Sequence, residues 1–372
     1  MAEAAQNEVP AQRARPDPLP FRCWIYPAKA GSRPFPLFKT LLSNFCNNNC
    51  LYCAQQRSRD TRRFRLSPEE MARAFWHLYR KGLVKGAFLS SSVDGDPETT
   101  MERLIRTTEL LRHRYGFRGY IHLKIMPGVS QDLMCRAVEL ADRVSVNLEA
   151  PGSKRLGSLC PEKDFHLMLE QIRKLRDMIE SGIGRARDQT TQFVVGASGE
   201  SDLELLDLAE RLYRELRIKR CYFEAFTPVP GTPLEDRPPE NPLRQRRLYE
   251  ASFLLRDYGF SVRELPFGPE GNLPLCTDPK MEWALRHPEF FPVELNRAEP
   301  EELLRVPGFG PKAVSKILSL RARGRIRWED LRGLRIVLKR AAPFITVDGK
   351  PYRRTFTEIP QVGRTHRNAP LV

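Results

Sequence analysis

The sequence contains no run approaching the roughly 20 apolar residues that cross a bilayer. Its first 20 residues, MAEAAQNEVPAQRARPDPLP, hold no apolar stretch of the kind that marks a secretory leader. Rich in Pro, Ala and charge, they read as a disordered lead-in (1–20), and the expectation is a cytoplasmic protein with no membrane partner. Cysteine is sparse and irregularly spaced: of eight, only three stand close together. That excludes the disulfide framework of a small secreted domain and turns attention to metal. No tandem repeat is present, which excludes a solenoid or propeller.

What is present is an alternation of short β-type runs with longer helical patterns from Leu37 to about Pro228, the signature of parallel βα units. The strand candidates are FKTLLSNF (38–45), GAFLSSS (86–92), GYIHLKIM (119–126), RVSVNLE (143–149), TQFVVGA (191–197) and RCYFEAF (220–226). Helix starts fall between them. Ser67 with Pro68 and Glu70 reads as a capping box ahead of the apolar face Met71, Phe75, Leu78 and Tyr79, and Ser201 with Glu204 repeats the device. Six such units curl into a parallel barrel, complete or partial, whose chemistry belongs at the strand C-termini.

The pattern breaks at the proline-rich TPVPGTPLEDRPPENP, which no helix can cross. The domains expected are a barrel core (21–235), a helical extension (236–292), a C-terminal helix pair (293–350) and a loose tail (351–372). The formal charge of +15 suggests polyanion partners, and it is concentrated near the end: residues 294–354 carry 15 Lys and Arg against 7 Asp and Glu, a net +8. There the stretch VPGFGPKAV, flanked by Leu303, Leu304 and Val306 and by Val314, Ile317 and Leu318, resembles a helix-hairpin-helix. Gly308 and Gly310 would form its bend, and the amides beside Pro311 and Lys312 would grip a phosphate oxygen. Such a contact positions DNA without reading its bases. A second, degenerate hairpin is expected around LRGLRIV, where Arg335 stands in place of a glycine.

Cys46, Cys50 and Cys53 follow the first strand candidate in the order C-NNN-C-LY-C. Thiolates are soft ligands suited to iron–sulfur or zinc. Three are informative, because a structural zinc site would close with a fourth ligand and a four-iron cluster held by three leaves one iron open. Cys23 is the near candidate for a fourth ligand; Cys160, Cys221 and Cys276 are scattered, and Cys135 falls in a helical pattern as a small core residue. Here the chain resembles the radical S-adenosylmethionine superfamily, whose signature is this spacing with an aromatic before the last cysteine, supplied by Tyr52. The resemblance implies an α/β fold, a partial (β/α)6 TIM-like barrel followed by a small all-α helix-hairpin-helix domain. It also implies a [4Fe–4S] cluster on the three cysteines, S-adenosylmethionine on the open iron, and an external electron donor such as flavodoxin or ferredoxin.

Further cofactor contacts follow from the same resemblance. Val194, Gly196 and Glu200 in QFVVGASGES would take the places of a glycine motif beneath adenine. Ser91 and Ser92 stand where the family often shows a Gly-Gly-Glu-like stretch, so hydroxyls and carbonyls would serve the methionine amino group. Lys124, Asn147 and Glu149, polar groups at the ends of the third and fourth strands, would contact ribose or carboxylate, with His122 and Glu224 as lesser candidates. The phrases GYIHLKIMPG, DRVSVNLEAP, PVPGTPLED and VPGFGPKA extend the likeness, over about residues 20 to 355, to a group of such proteins with a helix-hairpin-helix, described as DNA modification or repair proteins. The expected function is a radical enzyme acting on DNA. The alternatives are modification of RNA or another macromolecule, or a DNA-binding protein whose cluster is structural or redox-sensing.

Overall fold

The computed structural model describes residues 22–30, 33–334 and 336–352. The expected lead-in, most of the expected tail and Arg335 of the expected second hairpin lie outside these. The described chain divides into two compact units, one lying within residues 22–256 and 261–276, the other within 257–260 and 277–352.

The first unit is built on a seven-stranded sheet whose spatial order follows the sequence. A short edge strand, β1 (Ile25–Tyr26), pairs antiparallel with β2 (Leu37–Leu41). Parallel pairing then runs through β3 (Gly86–Ser90), β4 (Tyr120–Lys124), β5 (Arg143–Ser145), β6 (Asp188–Val195) and β7 (Ile218–Ala225). These are the six parallel strands expected from the sequence. The connections are α1 (Pro68–Arg80), α2 (Pro97–Glu109), α3 (Gln131–Leu140), α4 (Ser153–Leu159) with α5 (Phe165–Glu180), and α6 (Asp202–Glu215); α7 (Pro242–Asp257) follows β7. Both capping boxes form, at Ser67 with Glu70 and at Ser201 with Glu204.

Period-two alternation splits every strand between the helices and the bore. Phe38, Ala87, Ile121, Leu123 and Val144 are buried on the helical side, where Phe38 meets Phe75 of α1 edge-on. The register aligns Lys39, Phe88, His122, Arg143 and Asp188 in one row on the other side. Along that row Lys39 lies over the Phe88 ring, Phe88 meets the His122 ring, and Arg143 pairs with Asp188. The backbone ladder does not join β7 to β1. Burial, and next the charges of Glu224 and Tyr222 on β7, push the Tyr26 phenol of β1 up, with Arg220 acting against them.

In the second unit, α8 (Pro279–Arg286), α9 (Pro300–Arg305), α10 (Pro311–Arg321) and α11 (Leu338–Ala341) surround a core that includes Leu295, Leu303, Val306, Phe309, Ile317 and Ile345. It is not all-α: β8 (Val293–Glu294) and β9 (Ile345–Thr346) form a two-residue parallel pair, which periodicity cannot reveal in so short a stretch. Gly308 turns the chain between α9 and α10 at φ +87°, and Gly310 is the extended N-cap of α10. No helix among the described residues is long and apolar enough to cross a membrane.

Candidate cofactor site

The three cysteines lie on a loop between β2 and α1, at the C-terminal end of the first parallel strand. The loop has little regular structure, so side chains hold it. Arg63 donates to four carbonyls, those of Asn44 (2.6 Å), Gln55 (2.9 Å), Gln56 (2.6 Å) and Arg59 (3.1 Å). Asn44 crosses to the returning chain by donating to the Arg62 carbonyl and accepting from the Phe64 N–H. Within the loop, the Cys53 N–H donates to the Cys50 carbonyl, and the Gln55 N–H donates to the Cys53 sulfur at 3.4 Å.

The far wall is the end of α4. The Leu51 N–H donates to the Leu159 carbonyl at 2.9 Å, and the Asn49 N–H to the Glu162 carboxylate at 3.1 Å. This brings Cys50 to the end of α4, which Cys160 follows directly. Sequence spacing had left Cys160 among the scattered cysteines; it is the thiol the fold brings to the loop. Its proximity is the main reason the Cys50 thiol falls to about 7, and burial pushes Cys53 up to about 12.

Behind the loop lies a buried ion pair, Lys163 Nζ to Glu149 Oε1 at 3.0 Å. Burial penalises both charges, yet each holds the other ionised: Lys163 stands well above the ordinary lysine value and Glu149 below the usual carboxylate range, the latter aided by Lys124. Burial, and next the Glu149 carboxylate, push the Tyr52 phenol up. Glu149 adopts a left-handed backbone at φ +63°, a strained state for a residue with a side chain. Lys163 was absent from the sequence expectations, because nothing in its surroundings signals that it would be buried against a strand end.

The other expected residues divide. Ser91 is buried and Ser92 half-buried; the Ser92 N–H donates to the Ser43 carbonyl, to which the Ser91 hydroxyl also turns. Lys124 ends β4 on the face that carries His122, and Asn147 is half-buried just beyond β5. Val194 donates its N–H to the Glu149 carbonyl, tying β6 to the strained residue. Glu200 braces its own turn, accepting from the N–H groups of Gly196 (2.5 Å) and Ser198 (3.2 Å). The space beside Gly196, where a Cβ would stand, is filled by the Glu240 carboxylate. His122 is buried, bonded to Ser145 at 2.9 Å and held well below the usual imidazole value by burial. Gly308, Gly310 and Lys312 lie in the second unit, with Lys312 exposed.

The donor set suits an iron–sulfur cluster better than a lone ion. Among the described residues no three His, Cys, Asp or Glu side chains converge as the ligands of one metal ion would. A cluster gives each cysteine its own iron, so its thiolates do not meet at a point. One loop offers three thiols, with an N–H already directed at one sulfur. On and beside that loop, both amide atoms of Gln55, Oε1 of Gln56 and Oε2 of Glu149 are buried without a hydrogen-bond partner among the described residues. Buried polar atoms left unpaired in the protein alone fit a site completed by a ligand.

The radical SAM superfamily model matches residues 40–212, which takes in the cysteine loop and β3 to β6. The threonylcarbamoyladenosine tRNA methylthiotransferase MtaB of Thermotoga maritima is 24% identical over 213 residues, covering 54% of this chain and 46% of that protein. The chain thus spans about half the length of this curated relative. Among solved structures, the FeFe-hydrogenase maturase HydG of Carboxydothermus hydrogenoformans aligns at a TM-score of 0.47 and 18% identity, over 58% of this chain and 50% of that one. A radical SAM methyltransferase of Sphaerobacter thermophilus aligns at 0.43 and 20% identity, over 60% of this chain and 65% of that one.

Proposed function

We propose, on the match of residues 40–212 to the radical SAM superfamily model, that the chain is a radical enzyme with a [4Fe–4S] cluster and S-adenosylmethionine as its cofactors and that its substrate is DNA, modified or repaired by hydrogen-atom abstraction. The observation that carries the reading is the union, in one chain, of a three-thiol loop at a strand end with a basic helix pair. When bound, the reduced cluster and S-adenosylmethionine supply a 5′-deoxyadenosyl radical. The chain's own residues hold and orient. Cys46, Cys50 and Cys53 provide the thiolates, while Lys124 and Asn147 stand at strand ends to meet the carboxylate and ribose of S-adenosylmethionine. The unpaired amide of Gln55 is available to the same ligand. An external one-electron donor such as flavodoxin or ferredoxin completes the reaction.

In the second unit, we read α9, the Gly308–Gly310 turn and α10 as a helix-hairpin-helix. The N-terminus of α10, with the exposed Lys312, is the contact assigned to a DNA phosphate. The similarity to a tRNA methylthiotransferase favours a second reading, in which the polymer is RNA.

Two measurements test the proposal. After anaerobic reconstitution with iron and sulfide, dithionite and S-adenosylmethionine should yield 5′-deoxyadenosine with the wild type and none with a Cys46, Cys50, Cys53 to Ala variant. Gly308 is a poor probe of the nucleic-acid contact, because a side chain there would strain a positive φ and press on the Val337 carbonyl at 3.0 Å. Lys312→Glu is exposed and changes only charge. It should weaken duplex DNA binding several-fold and flatten its salt dependence by the loss of one phosphate contact. Unchanged affinity and salt slope would overturn the assigned contact, and tighter binding of tRNA than of duplex DNA would move the substrate to RNA.

A further inference from the structure

The segment that follows the cysteines, 57–65, carries five arginines, Arg57, Arg59, Arg62, Arg63 and Arg65, against one acid, Asp60. It is bound at both ends to the chain that bears the thiols. The Arg57 N–H donates to the Asn48 carbonyl at 3.0 Å, between Cys46 and Cys50, and the Ser58 hydroxyl to the Asn49 side-chain oxygen at 2.9 Å. At the other end Arg65 bridges antiparallel to Ser43, and the Asn44 N–H donates to the Phe64 carbonyl. Arg59 and Arg63 donate to backbone carbonyls and fix the path of the segment. Arg57, Arg62 and Arg65 are exposed. Arg62 forms no ion pair among the described residues, and Arg57 meets Glu162 only at 3.9 Å. Arg65 is held by both oxygens of Asp94 at 2.5 Å and lies over the ring of Phe45, which precedes Cys46 and is 40% exposed.

An exposed aromatic ring under a fixed guanidinium, with further exposed arginines on the same segment, has the composition of a protein-docking surface. We propose that Phe45, Arg57, Arg62 and Arg65 dock an acidic one-electron carrier protein, so that the electron enters beside the thiols. The inference rests on the proposed reading of Cys46, Cys50 and Cys53 as cluster ligands. Opposite charge steers the encounter and raises its rate. The step moves one electron and no atoms: the carrier is oxidised by one electron and the cluster is reduced by one. A nucleic acid would answer the same charge. The carrier is favoured because the segment is bonded at both ends to the cysteine-bearing chain, whereas the phosphate contact is already assigned to the N-terminus of α10.

The test compares the reconstituted full chain with a doubly substituted Arg57→Glu, Arg62→Glu variant, using an acidic flavodoxin and an acidic ferredoxin as probes. Binding is read by fluorescence anisotropy of the dye-labelled carrier, and transfer by stopped-flow bleaching of the cluster absorbance with the carrier reduced beforehand. At low salt the variant is expected to bind each carrier about tenfold more weakly and to take up its electron about tenfold more slowly, with both differences shrinking as salt rises. Iron content and the amount of cluster reduced by excess dithionite should match the wild type. Equal binding and equal transfer in the two proteins would overturn the inference, as would a wild type that dithionite reduces and neither carrier does. Unchanged carrier binding with weaker duplex DNA binding would overturn it by giving the patch to the nucleic acid. Loss of iron in the variant would overturn it by making the two arginines part of the loop's own support. Failure of the wild type to assemble any cluster would instead overturn the reading on which the inference rests.

Discussion

Arg63 does for the cysteine loop what a ladder does for a strand: it collects four carbonyls that have no partner in regular structure. Removing the guanidinium leaves several of them unpaired, so Arg63→Met is expected to cost about 3 kcal/mol of stability in chemical denaturation. It should also lower the iron bound after reconstitution. Lys280, in the second unit, makes a pH-dependent case. Its ammonium is buried, donates to the Phe309 carbonyl at 2.5 Å and lies over the Tyr258 ring. Burial brings it down to about 7, with Arg305 and Arg340 acting in the same sense and Asp278 against. The folded value lies below the unfolded one, so between about pH 7 and the ordinary lysine range the unfolded chain binds more protons. Stability therefore rises with pH across that window, by at most about 1.4 kcal/mol per pH unit. Hydrogen-exchange protection of residues 300–321 should increase from pH 7 to pH 9, and Lys280→Met should remove the increase. At this scale the sequence exposed the residues whose spacing is itself the signal, the three cysteines. It concealed Cys160, Lys163 and Arg63, whose roles arise only when distant segments meet.

Elements with local causes were legible. The serine caps at Ser67 and Ser201 form as their spacing predicts, because a capping box is completed within four residues. The fourth strand is shorter than its apolar run: β5 stops at Ser145, and the chain regains the sheet only through an isolated bridge from Glu149 to Phe193. The left-handed backbone of Glu149 and its ion pair with Lys163 interrupt what hydrophobic alternation would have continued. The turn after α5 shows how tightly a connection can be fitted. Gly184 sits at φ +79°, and a Cβ there would come within 2.5 Å of the Glu139 Cα and 2.7 Å of the Val138 carbonyl. That carbonyl also accepts the N–H groups of Arg185 and Ala186, both at 3.0 Å. Backbone cannot yield as a flexible side chain can, so Gly184→Ala is expected to cost more than about 2 kcal/mol, read as a lower denaturation midpoint at unchanged slope.

Across the whole molecule, charge is the property composition made plain, and its uneven distribution gives a bulk prediction. With +8 of the +15 between residues 294 and 354, association with duplex DNA should fall steeply between 50 and 200 mM salt, as read by fluorescence anisotropy. Deleting residues 294–372 should remove most of that dependence, whereas a weak, equal salt effect in both proteins would place the polyanion contact elsewhere. The count of six parallel strands was also legible, since each βα unit repeats one local pattern. The closing of the sheet was not, because nothing in a strand's own residues says how far its neighbours curl. Between β7 and β1 no hydrogen-bonded ladder forms among the described residues, and what lies along that join is side chain, with the Tyr26 ring under the Lys39 ammonium on the β1–β2 side. A ladder can widen only by tearing backbone bonds, whereas side chains across a join part and re-form at little cost. The wall of the bore is therefore a hoop left unriveted at one seam, its girth at that seam set by side chains and not by backbone rungs.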